Sequence, residues 1–69
     1  MQTIEIILNG EAKAIKRQTT MSELIKNLEL VPDRLAVEYN LKILKRNRWN
    51  DTFLAEGDQI ELVQLVGGG

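Results

Sequence analysis

Apolar and polar residues alternate from Thr3 to Leu8, with Ile4, Ile6 and Leu8 on one face and Thr3, Glu5 and Ile7 on the other. Period two of this kind marks a half-buried strand. Asn9-Gly10 follows at once, a dipeptide that tolerates the positive φ of a tight hairpin turn. The turn predicts an antiparallel return over Glu11 to Arg17, with Ile15 as its main core contact. Lys13, Lys16 and Arg17 mark this second strand as an edge that resists further strand addition. The period then changes: Met21, Leu24, Ile25 and Leu28 stand at the i, i+3, i+4, i+7 spacing of a helical face. Thr20 is the expected N-cap, because Glu23 lies three residues on and completes a capping box. The helix should stop before Pro32, since the residue preceding proline is pushed out of the α region. Leu30 and Val31 are expected to close its end against the core.

Alternation resumes in Leu35 to Tyr39, placing Leu35, Val37 and Tyr39 opposite Ala36 and Glu38. Asn40-Leu41 is read as a turn into a short strand around Lys42 to Leu44. Arg46 to Thr52 then forms a short helical turn or loop whose Trp49 plugs the core edge. Gly57-Asp58 signals a turn, and Gln59 to Val66 is the final strand. Strand, strand, helix, strand, short strand, strand in one small chain predicts an α+β β-grasp fold, a mixed four- to five-stranded sheet packed on one main helix. The expected division is a domain over 1–66 and a flexible glycine tail over 67–69. Parity along the last strand sends Ile60 and Leu62 inward and Val63 and Leu65 to solvent. An apolar stripe of Val63, Leu65 and Val66 running into the tail is the expected partner-binding surface, the alternative being that the strand ends early or twists and folds Leu65 and Val66 back onto the core.

Composition narrows the chemistry. A chain of 69 residues with 43% hydrophobic content makes one domain with little room for a deep active-site pocket. Cysteine and histidine are both absent, which removes a disulfide framework, a thiolate metal site, a thiol nucleophile and the commonest general base. An autonomous enzyme is therefore disfavoured, and no metal site is expected. Nine basic against ten acidic side chains give no general pull toward nucleic acid. The cluster Lys42, Lys45, Arg46 and Arg48 reads as a solvated face, with docking on an acidic partner as the sharper alternative. A nucleic-acid module using these residues with Trp49 is the competing reading from another class. No apolar run approaches the roughly 20 residues that span a bilayer, and Met1 opens into strand-like sequence without a leader pattern, so a cytoplasmic protein is expected. Gly67, Gly68 and Gly69 gain nothing from packing and lose much entropy when ordered. They offer a thin peptide ending in an unhindered carboxylate, suited to a narrow enzymatic tunnel.

Val37, Asn40, Trp49, Leu54-Ala-Glu-Gly-Asp58, Ile60-Glu61-Leu62-Val63 and Val66-Gly-Gly-Gly69 together resemble the ThiS family, the ubiquitin-like sulfur carriers of thiamine biosynthesis. Leu41 departs from the pattern, the family often having glycine after the asparagine. The resemblance implies a protein co-substrate, itself binding no cofactor. Its Gly69 carboxylate would be adenylated with ATP by a ubiquitin-activating-like adenylyltransferase and converted to a thiocarboxylate with sulfur from a persulfide donor. Thiazole synthase would receive that sulfur, with Gly67 and Gly68 as the tether. A molybdopterin synthase small subunit and a ubiquitin-like protein modifier are the neighbouring alternatives.

Overall fold

A computed structural model describes residues 2–65. The chain runs β1 (Thr3–Leu8), β2 (Glu11–Lys16), α1 (Met21–Asn27), a 3₁₀ turn (Pro32–Arg34), β3 (Leu35–Tyr39), β4 (Lys42–Ile43), a second 3₁₀ turn (Arg46–Asp51) and β5 (Gln59–Gln64). The strands form one five-stranded sheet in the order β2-β1-β5-β3-β4. β1 and β5 run parallel at its centre, and every other neighbouring pair is antiparallel. This is the β-grasp arrangement the element order predicts.

Local sequence explains most of the boundaries. Asn9 and Gly10 take φ of 49° and 84°, the two positive values that a twist-matched hairpin needs. Thr20 caps α1 as expected: its hydroxyl accepts the Glu23 N–H at 3.1 Å, and the Glu23 carboxylate accepts the Thr20 N–H at 2.9 Å. The helix ends before Pro32 as expected, at Asn27, and the stop lies in the chain ahead of the proline. Glu29 adopts the left-handed conformation (φ 59°) that usually falls to glycine, and the N–H groups of Glu29 and Leu30 donate to the carbonyls of Lys26 and Ile25. That pairing satisfies the last helical carbonyls and terminates the helix. Pro32 instead opens the first 3₁₀ turn, where its missing N–H costs nothing. Leu30 packs against the core as expected, but Val31 does not, being 48% exposed.

One sheet face meets the helix. Ile6, Met21, Leu24, Ile25, Leu35, Val37, Leu54, Ile60 and Leu62 are buried there, with Trp49 closing one side. The Trp49 indole N–H donates to the Leu44 carbonyl at 3.0 Å, so burying the ring leaves no orphan donor. Ile15 is only partly buried, in keeping with an edge strand whose remaining residues are exposed.

Candidate functional site

The expected tail residues Gly67, Gly68 and Gly69, and Val66 before them, lie outside the described residues. What is described is the root from which they emerge. β5 pairs with β3 from Ile60, opposite Tyr39, to Gln64, opposite Leu35. Beyond that pairing, the Leu65 N–H donates to the Arg34 carbonyl at 2.6 Å, fixing the backbone just before the tail.

Val63 and Leu65 fall where parity puts them, each 54% exposed. The pairing of β3 with β4 adds a residue that sequence reasoning missed. Glu38 faces both Glu61 of β5 and Ile43 of β4, which sets Ile43 on the outward face at 69% exposure. Its signal was parity with Leu44, which is partly buried. Neighbouring strand positions point to opposite faces, so an inward Leu44 requires an outward Ile43. Outward-facing Ile43, Ala36, Val63 and Leu65 thus form an apolar band interrupted by Glu38 and Glu61.

At the far end of β5 sits a polar network that the sequence disclosed only as a turn. Asp58 is buried, and its carboxylate accepts the Tyr39 hydroxyl at 2.6 Å, the Ala55 N–H at 2.8 Å and the Asn40 amide at 3.2 Å. Burial first, then the hydrogen bond to Asp58 and the charge on that carboxylate, push the Tyr39 phenol up to about 12. The Asn40 side-chain Oδ1 accepts the Gln59 N–H at 2.8 Å, tying the β3–β4 turn to the start of β5. The network stands roughly 20 Å of strand from the tail root, at about 3.3 Å per residue. It ties the β3–β4 turn, the Ala55 backbone and the start of β5 together.

The basic cluster is exposed, and Arg46 is held in place by an ion pair with Asp33 and by the Trp49 ring, whose centroid lies 5.9 Å away. Trp49 itself is buried and presents no stacking platform. Among the described residues, no group of three or more His, Cys, Asp or Glu side chains gathers to hold a metal ion. No helix among them is long and apolar enough to cross a membrane.

Fold and site together define a ubiquitin-like β-grasp protein whose last strand presents an exposed apolar face beside its outgoing end. The ThiS family model matches residues 6–69, and the chain belongs to the ThiS family. It is 35% identical over 63 residues to the sulfur carrier protein ThiS of Bacillus subtilis, a match covering 90% of this chain and 96% of that one. A thiazole synthase of Magnetococcus marinus is 38% identical over 66 residues, covering 96% of this chain, which spans only 20% of that protein's length. Among solved structures, the thiamine biosynthesis protein ThiS of Geobacter metallireducens superposes with a TM-score of 0.83 at 25% identity, covering 96% of this chain and all of that one.

Proposed function

We propose that this sulfur carrier receives its cargo at Gly69 and delivers it for thiazole formation. The observation that carries the reading is a family match that runs through the glycine tail to residue 69. A carboxylate resists nucleophiles because of its charge and resonance, so activation must precede sulfur transfer. An oxygen of the Gly69 carboxylate attacks the α-phosphorus of ATP on a ubiquitin-activating-like enzyme, releasing pyrophosphate. The terminal sulfur of a persulfide then attacks the acyl carbon and expels AMP, and a thiol cleaves the S–S bond of the resulting acyl disulfide, leaving the thiocarboxylate on Gly69 and a disulfide on the donor side. Gly69 has no Cβ to obstruct that attack, and Gly67 and Gly68 allow the tail into a closed site without steric conflict. Water excluded there would not hydrolyse the adenylate.

In this scheme Val63, Leu65 and Val66 dock the domain while the chemistry proceeds beyond it, in the cytoplasm, with ATP bound by the partner alone. Similarity to part of a thiazole synthase supports thiazole synthase as the acceptor. Intact-mass measurement after incubation with the adenylating enzyme, ATP and a persulfide donor tests the proposal. The expected product is heavier by the exchange of one oxygen for sulfur, located at Gly69. An unchanged mass, or attachment of the chain to lysines of other proteins, would refute it.

A further inference from the structure

The outward sheet face carries a charge arrangement that disfavours the isolated fold. Glu38 of β3 stands directly opposite Glu61 of β5, so two exposed carboxylates project side by side from the same face. Opposed residues of an antiparallel pair have Cβ atoms about 4.5–5.5 Å apart, and like charges there oppose strand pairing. No salt bridge among the described residues relieves either carboxylate. The pair is bracketed by apolar surface, with exposed Ile43 across from Glu38 and exposed Val63 two residues beyond Glu61. Lys42, at the opposite parity to Ile43, belongs to the other face of the sheet.

We infer that this face receives the adenylating enzyme through apolar contact on Ile43 and Val63, with one lysine or arginine of that enzyme seated between Glu38 and Glu61. The inference rests on the sulfur-carrier reading. Charge complementarity selects the occupant: two adjacent carboxylates within an apolar rim match a single cation on an apolar surface, and a guanidinium can donate to both. Order of reaction selects the enzyme. The tail carboxylate must be activated before it accepts sulfur, so the adenylating enzyme is the partner that meets the free protein, in which the repulsion is unrelieved. Docking removes that repulsion and surrounds the new ion pairs with apolar contact, where salt screens them less than at an open surface.

Calorimetric titration of the enzyme with the full chain and with E38Q, E61Q and the double variant tests this, at low and moderate salt. Each single substitution should weaken binding roughly tenfold, the scale of a lost interfacial charge contact. The double variant should lose clearly more than either single one, because each single variant still leaves the shared cation one carboxylate partner and the double leaves it none. Thermal melts of the free variants should match or exceed the parent, a result that separates lost docking from a damaged fold. Single variants that bind within about twofold of the parent, while Val63→Asp abolishes the complex, would overturn the bridging cation and leave the carrier function standing. Parent-like binding by Val63→Asp as well would remove docking from this face altogether. A parent chain that the enzyme neither binds nor adenylates would overturn both readings.

Discussion

Tyr39 and Asp58 show how a single pair of side chains decides local stability. The Tyr39 hydroxyl donates to a buried carboxylate that also serves Ala55 and Asn40. Removing such an acceptor strands several donors at once, at about 1–3 kcal/mol for each group left buried without a partner. An unfolded tyrosine titrates near 10, whereas folded Tyr39 is pushed up to about 12. Below the unfolded value the folded state keeps the whole of this stabilisation. It is lost as pH rises through the folded value, because the unfolded chain gives up its proton first. The chain contains one tyrosine, so its absorbance reports Tyr39 alone. Titration should show a midpoint near 12, with the melting temperature falling from pH 10 toward 12; a midpoint near 10 would show that Asp58 does not hold the phenol. Sequence gave Asp58 only a turn role because its partner Tyr39 lies 19 residues away. Val63 and Leu65 were legible because strand parity fixes their orientation with no long-range knowledge.

The β3–β4 hairpin carries the clearest conflict between a residue and its element. Asn40 and Leu41 take φ of 51° and 72°, so the turn demands left-handed backbone at both positions. Asparagine tolerates that conformation through its short polar side chain, but leucine crowds its own Cβ against the carbonyl oxygen, at about 1–2 kcal/mol. Leu41 is 82% exposed and recovers little of this by packing. Leu41→Gly should therefore stabilise the domain by about 1 kcal/mol after the extra entropy glycine loses on folding. A gain of that size raises the melting temperature by about 4–8 °C in a domain of this length. A lower melting temperature would mean that the leucine side chain contributes contacts the turn needs. Elements set by neighbours in sequence, such as β1, the Asn9-Gly10 turn and the capping box, were readable in advance. The device that stops α1 ahead of Pro32 was not, because Glu29 takes a glycine conformation without being glycine. Nor was the central place of β5, which depends on contacts such as the Leu62 N–H donating to the Asn9 side chain across 53 residues.

At the scale of the whole molecule, the fold and the proposed chemistry are separable. Among the described residues, the buried hydrophobic core runs from Ile6 to Leu62. The Leu65 N–H bond to Arg34 sets the point from which the tail departs. About four residues then remain to Gly69, a reach of at most roughly 14 Å from a docked domain. In the proposed scheme, docking on Ile43, Val63 and Leu65 would measure a distance for the enzyme, since a body held at one face could present the Gly69 carboxylate only within that radius. Deleting Gly69 shortens the reach by about 3.5 Å, as much as the whole separation of about 3–3.5 Å between atoms poised to react. The shortened chain should melt at the parent temperature and bind the adenylating enzyme with parent affinity, yet form no thiocarboxylate by intact mass. Parent-level thiocarboxylate in that variant would show that the tail length is not measured and that Gly69 is not the required acyl donor. A lowered melting temperature would show that the tail contributes to the stability of the fold.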